Sequence, residues 1–218
     1  MRKLYIDFDG VILDTIAKTY KVMEEENIDI KNEEQVINAV IEDWNASHIE
    51  KYAFYNCTGL TSVTISDSVT IIGGGAFYDC SNLETVTVSD SVVSIGKYAF
   101  CRCRNLTLIT MSDNITRIQE STFDNCNNLT TITIPKRVAN IEDRAFNGCY
   151  NLRNVISLAV LPPTLGEEIF SATAILTIPS HSLGYYMSTA SKWKQYFVSI
   201  EEMSSDITIP IIWRRKYR

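Results

Sequence analysis

No run of apolar residues in this 218-residue chain approaches the roughly 18 needed to cross a bilayer as a helix, which excludes a membrane-spanning helix. Histidine is scarce: only His48 and His181 occur, and the six cysteines form no C-x-x-C pair. The common zinc-ligand spacings are therefore missing. A broad basic field is missing too. Residues 46–218 hold 15 Lys/Arg and 15 Asp/Glu, so the larger part of the chain has no electrostatic footprint for nucleic acid. Residues 1–45 hold 5 Lys/Arg against 11 Asp/Glu and carry the whole net charge of −6. All six cysteines come later. That double shift marks a boundary near Trp44–Ala46. The start, Met1-Arg2-Lys3-Leu4-Tyr5-Ile6, imitates a signal peptide, but Asp7 and Asp9 interrupt the apolar core. The expectation for the chain as written is a cytoplasmic location.

What the chain does have is a period. Phenylalanine recurs at 54, 77, 100, 123 and 146, cysteine at 57, 80, 103, 126 and 149, and leucine at 60, 83, 106, 129 and 152, always 23 residues apart. A fixed period of this length is the signature of a solenoid. Within one unit, Val86-Thr87-Val88 alternates in and out like a strand, as do Val63-Thr64-Ile65, Ile109-Thr110-Met111 and Ile132-Thr133-Ile134. Stacked coils would set these side by side in a parallel sheet, about 4.8 Å apart. A second extended segment is predicted at 68–72, 91–95, 114–118 and 137–141. The Ala-Phe-x-x-Cys stretch joining coils is too short for a long helix and predicts a helical turn. With apolar residues at 45 %, the expected fold is a mostly-β solenoid of 23-residue coils with short helical turns.

The repeating pattern Ile-Gly-x-x-Ala-Phe-x-x-Cys-x-x-Leu-x-x-Val-x-Ile-x-x-x-Val-x-x-Ile, with copies starting at Ile49, Ile72, Ile95, Ile118 and Ile141, resembles the BspA-like leucine-rich repeats. The resemblance runs from residue 49 to about 200. Thr122 departs from it in place of alanine, and Ser157 is expected to break the strand of the last full copy. Leu161-Pro162-Pro163, Ile175-Leu176-Thr177-Ile178-Pro179, Trp193 and Phe197 resemble the family's closing coil, which would shield the final apolar edge. Residues 201–218 are then a tail. Its basic, aromatic end, Ile211 to Arg218, reads as a frayed, solvated terminus. The resemblance implies a secreted or cell-surface protein that binds a protein or glycan, in tension with the absence of a signal peptide.

Five cysteines at repeat spacing sit at inward positions, where a free thiol acts as a small apolar group. Cys101 falls off that ladder. It is expected to point outward and to be the most reactive thiol. The strand residues between the apolar ones should face solvent: Ser62, Thr64 and Ser66, then Thr85, Thr87 and Ser89, then Leu108, Thr110 and Ser112, then Thr131 and Thr133. This hydroxyl-rich ladder is the candidate binding face. Threonine also suits an exposed strand on propensity alone, and the ladder lacks the Trp, Tyr and Arg that dominate binding hot spots.

Residues 1–45 carry a different motif. Leu4-Tyr5-Ile6-Asp7-Phe8-Asp9-Gly10-Val11-Ile12-Leu13-Asp14-Thr15 is similar to motif one of haloacid-dehalogenase-type phosphatases. There the position of Asp7 is the nucleophile and that of Asp9 the acid/base, and the two carboxylates share a Mg²⁺ ion with the substrate phosphate. The family also needs a downstream Ser/Thr, a Lys and a second acidic pair on a parallel core, which the repeats leave no room for. Ile16, Tyr20 and Met23 recur at helical spacing. Asn32 with Gln35 can cap a second helix whose apolar face is Val36, Ile37, Val40, Ile41 and Trp44. That face is expected to cover the open end of the coil at Ile49. The expected function is a non-enzymatic protein- or glycan-binding module with no cofactor. The alternatives are a Mg²⁺-dependent phosphatase at Asp7 and Asp9 and a structural spacer in a larger surface assembly.

Overall fold

The chain is seen in a computed structural model that describes residues 47–171, 174–188 and 191–203. The 23-residue period becomes one coil of a parallel solenoid. In chain order the strands are β1 (His48–Ile49), β2 (Ser62–Ile65), β3 (Ile71–Ile72), β4 (Thr85–Val88), β5 (Ser94–Ile95), β6 (Leu108–Thr110), β7 (Arg117–Ile118), β8 (Thr131–Ile134), β9 (Asn140–Ile141), β10 (Asn154–Ser157), β11 (Thr164–Leu165), β12 (Ala174–Ile178) and β13 (Phe197–Glu202). Each full coil contributes one longer strand to a first row and one two-residue strand to a second. Every pairing is parallel. Helix is scarce among the described residues: α1 (Leu183–Tyr186) and a 3-10 turn at Trp193–Tyr196.

Between the rows runs a third side, the arc holding Ala-Phe-x-x-Cys. Its backbone carries the i→i−3 bonds of a helical turn, but they do not propagate. In the coil of Phe77, Ala76, Tyr78 and Cys80 donate back to Gly73, Gly75 and Phe77, while the intervening Phe77 and Asp79 donate to Ala99 and Cys101 of the next coil. Alternating residues thus close the turn and stitch the coils. The geometry places two left-handed residues in each coil, four apart: Tyr52 and Asn56, Gly75 and Asp79, Tyr98 and Arg102, Ser121 and Asn125, Arg144 and Gly148. Helical propagation is impossible across such residues.

The core lies where the period predicts it. Phe54, Phe77, Phe100, Phe123 and Phe146 stack face to face, with centroids 5.1 to 5.7 Å apart. The column continues to Phe170, 5.3 Å beyond Phe146, although that step is 24 residues. The leucines and ladder cysteines are buried beside it. Thr122 fits the alanine position because its hydroxyl donates to the Gln119 carbonyl at 2.8 Å.

Both rows are interrupted at the same level. The hydrogen-bonded orders are β2-β4-β6 and β8-β10-β12-β13 in the first row, and β1-β3-β5 and β7-β9-β11 in the second. The arc stays bonded across this seam, with Phe100 and Arg102 donating to Thr122 and Asp124. The Phe100–Phe123 spacing there, 5.7 Å, is the widest in the phenylalanine column.

The far end is closed as the closing-coil resemblance implies. Trp193 is buried on Tyr186, stacks with Phe197 at 5.7 Å, and donates its indole N–H to the Pro163 carbonyl at 2.8 Å. Ser157 does not break its strand. It pairs in register with Ile134, is fully buried, and exchanges a 2.7 Å hydrogen bond with the Tyr186 hydroxyl. That hydroxyl also donates to the Ala159 carbonyl at 2.9 Å. A buried serine is tolerated because the cap brings it a partner. Asp7, Asp9, the expected cap at 32–45 and the tail from residue 204 lie outside the described residues.

Candidate functional site

The first row presents the expected face. Ser62, Thr85 and Leu108 lie side by side in register, and so do Thr64, Thr87 and Thr110. Their flanking residues Val63, Ile65, Val86, Val88 and Ile109 are buried, so the alternation is genuine. Thr131 and Thr133 stand beyond the seam and align with Asn154 and Ile156, then Ile175 and Thr177. The face is therefore longer than the hydroxyl ladder and ends in a more apolar half.

The third residue of each ladder triplet turns away from it. Ser112 is fully buried, and Ser66 and Ser89 are half-buried. The Ser89 and Ser112 hydroxyls accept from the backbone N–H two residues on, at 3.2 and 3.0 Å, forming the small turn that ends the strand. Ser89 and Ser112 are turn formers and do not belong to the face.

Cys101 is also displaced from its expected role. It is 4 % exposed, and burial pushes its thiol up to about 12. Its position does belong to an outward column, Tyr55, Tyr78, Cys101, Asp124, Asn147 and Ser171. It is the small member between larger ones, shaded by its neighbours. A protonated, shielded thiol is a poor nucleophile. The ladder cysteines are equally inert. Cys80, Cys103, Cys126 and Cys149 each donate S–H to the phenylalanine carbonyl 26 residues earlier, at 3.0 to 3.2 Å. All six cysteines are free thiols.

A groove of about 440 Å³ lies along the second row, lined by Lys97, Arg117, Glu120, Asn140, Glu142 and Asp143 among others. Its charges are spent on one another. Lys97 pairs with Glu120 at 2.9 Å and Arg117 with Glu142 at 3.0 Å, while the Tyr98 hydroxyl donates to Glu120 at 2.8 Å. Those hydrogen bonds from Lys97 and Tyr98 hold the Glu120 carboxyl below its ordinary range.

The arc carries a feature that reading the sequence missed. Tyr55 and Tyr78 stack at 5.3 Å with planes 8° apart. Tyr52 meets Tyr55 edge-on at 5.9 Å, and the Arg102 guanidinium lies over Tyr78 at 5.6 Å. The Lys51 ammonium sits over the Tyr52 ring at 4.9 Å. Gly75 makes room for this row: a Cβ there would stand 2.3 Å from the Tyr52 ring. The signal was available, because Tyr55 and Tyr78 are 23 residues apart. A polar ladder of the same period was passed over as well. The Asn105, Asn128 and Asn151 amides each donate to the asparagine one coil back, at 3.4 Å.

Among the described residues no three His, Cys, Asp or Glu side chains gather where a metal ion could sit, and no helix is long and apolar enough to cross a membrane.

The coil geometry, the phenylalanine column and the parallel rows agree with a match to the BspA type leucine rich repeat region, in 6 copies over residues 32–179. The chain belongs to the BspA-type leucine-rich repeat family. The matched region opens at residue 32, ahead of the first copy at Ile49. Two bacterial repeat proteins of known structure share the fold, and a third aligns more loosely. A leucine rich repeat protein of T. pallidum is 24 % identical, with a TM-score of 0.51 over 60 % of this chain and 67 % of its own. The pneumococcal vaccine antigen PcpA is 14 % identical, with a TM-score of 0.50 over 66 % of this chain and 41 % of its own. A leucine rich cell surface protein from Faecalibacterium prausnitzii A2-165 is 25 % identical, with a TM-score of 0.39 over 74 % of this chain and 52 % of its own. The chain thus spans about two fifths to two thirds of these proteins. A comparison with curated proteins gives no significant match.

Proposed function

We propose that this chain is a non-enzymatic interaction module that works at a cell surface and binds a protein through its outward surfaces. The observation that carries the reading is the ordered display on the first row. Ser62, Thr64, Thr85, Thr87, Leu108 and Thr110 are held in register by a sheet whose other face is core. Such a surface binds by shape and many weak contacts, as repeat solenoids do. Membership of the BspA-type repeat family, whose resemblance implies a secreted or cell-surface protein, supports the location. A glycan is the second class of partner that a hydroxyl-rich face can take.

The test is a panel of surface proteins and glycans presented to the immobilised chain, with Thr87→Glu and Thr110→Glu beside the parent. Thr87 and Thr110 point away from the core, so both variants should fold and melt like the parent. Binding reduced tenfold or more by the pair, with the melt unchanged, supports the strand face. A partner that binds both variants like the parent refutes it.

The phosphatase-like motif at Asp7 and Asp9 lies outside the family match, which begins at residue 32. Its warrant remains the sequence alone. Assay of the chain with Mg²⁺ and an aryl phosphate, beside Asp7→Asn, tests it; turnover lost in the variant would make the chain an enzyme.

A further inference from the structure

The arc column 55, 78, 101, 124, 147 and 171 reads Tyr, Tyr, Cys, Asp, Asn and Ser. Four of its six positions do without an aromatic, so the coil itself does not require one there. The tyrosines are nonetheless assembled with care. Tyr52, Tyr55, Tyr78 and Arg102 form a continuous row across three coils. Arg102 takes the left-handed conformation that the same repeat position takes at Asn56, Asp79, Asn125 and Gly148. An arginine there costs free energy that the asparagine, aspartate or glycine of the other coils largely avoids.

Stacking consumes the ring faces of this row and leaves the edges outward. A sugar ring stacks on an open aromatic face, and none is offered here. The edges offer donors. The Tyr55 and Tyr78 hydroxyls have no hydrogen-bond partner among the described residues, and Tyr55 is 46 % exposed. The Arg102 guanidinium and Lys51 ammonium are exposed and make no ion pair among the described residues, although cations elsewhere on this solenoid do. Of the nearby carboxylates, Asp79 faces Arg104 at 3.8 Å. A guanidinium fork resting on a tyrosine is oriented to take a carboxylate through two parallel N–H bonds. Tyrosine and arginine are also the residues that dominate binding hot spots.

We propose that Tyr55, Tyr78 and Arg102, flanked by Lys51, form a docking site for an acidic, extended peptide segment of a partner protein. Carboxylates on that segment accept from the guanidinium and the phenol hydroxyls, and the ammonium of Lys51 adds attraction at the row's end. The proposal rests on the chain being a binding module. It concerns a different surface from the strand face, so either can fail while the other stands.

The experiment uses the full chain and a fluorescent peptide of alternating glutamate and serine, read by anisotropy at low and moderate salt. A glutamine–serine peptide is the control. A sulfated polysaccharide and a peptide copying residues 24–43 of this chain, itself acidic, serve as competitors. The expected result is saturable binding of the glutamate peptide alone, weakening several-fold as salt screens it. Arg102→Gln and Tyr78→Ala should each weaken binding about tenfold, while Lys136→Gln, which removes an exposed cation elsewhere on the solenoid, leaves it unchanged. All three variants should keep the parent's circular dichroism, since the substituted side chains lie outside the core. Equal binding of the glutamine peptide, indifference to Arg102→Gln, or absence of binding would overturn the proposal. So would a polysaccharide or an N-terminal peptide that binds these residues more tightly than the probe, because the occupant would then be a glycan or the chain itself.

Discussion

Raising the pH from about 8 to about 10 in the presence of a reductant should unfold this solenoid. A free thiol ionises near 8.5 in an unfolded chain. Burial holds Cys101 and Cys149 up to about 12, and it raises Cys80, Cys103 and Cys126 strongly as well. A folded-state value above the unfolded one gives stability that is fully present below about pH 8.5 and is lost as pH rises toward the folded value. Above that point the unfolded chain releases protons that the native chain keeps. Each buried thiol then forfeits about 1.4 kcal/mol per pH unit, or about 2 kcal/mol between pH 8 and 10. Five such thiols total about 10 kcal/mol, within the whole stability of a typical domain, about 5–15 kcal/mol. The size of the loss does not depend on the height of each folded value, provided it stays above pH 10. Urea midpoints measured at several pH values check this. The double variant Cys103→Ala/Cys126→Ala starts less stable but should lose about 4 kcal/mol less over the same interval. A midpoint that stays flat to pH 10, or a double variant with the parent's slope, would show that the column is not sealed from water.

Removing the Tyr186 hydroxyl with Tyr186→Phe should cost about 1–3 kcal/mol, because Ser157 and the Ala159 carbonyl lose a buried partner together. A double-mutant cycle with Ser157→Ala should show coupling between the two positions, and additive losses would deny the bond. Gly96→Ala should destabilise by about 2 kcal/mol or more, since its Cβ would stand 2.5 Å from the Gly74 backbone nitrogen. Gly184→Ala, with nothing within 4 Å of its Cβ and a place in α1, should be neutral or stabilise by up to about 1 kcal/mol. Melting curves of the two variants check the contrast.

The period made the core legible because burial and register repeat together. A residue at Phe77 sees the same neighbours, displaced by one coil, as a residue at Phe100. That equivalence fails wherever a residue's surroundings come from a neighbour of different size or from outside the repeat. Cys101 is expected outward because it falls off the cysteine ladder, but exposure belongs to a side chain among its actual neighbours, and it is 4 % exposed. Ser157 looked like a strand breaker because its partner, Tyr186, arrives from the cap 29 residues later, a distance no period encodes. Phe170 escaped the count because one extra residue moved it off the step without moving it out of the stack.

The same reasoning separates scaffold from function. A feature that successive coils repeat, such as the asparagine ladder or the thiol-to-carbonyl bonds, is explained by stacking: each copy satisfies a group of the copy before it. Function should then sit where the sequence departs from the repeat without any gain in stacking. The threonine face departs little, since threonine is what an exposed strand would hold anyway. The tyrosine–arginine row departs strongly. It runs across three coils, puts an arginine at a left-handed position that other coils fill with Asn56, Asp79, Asn125 and Gly148, and leaves the Arg102 and Lys51 cations without an ion pair among the described residues. Stability alone gives no reason for that combination, and recognition of an acidic partner does.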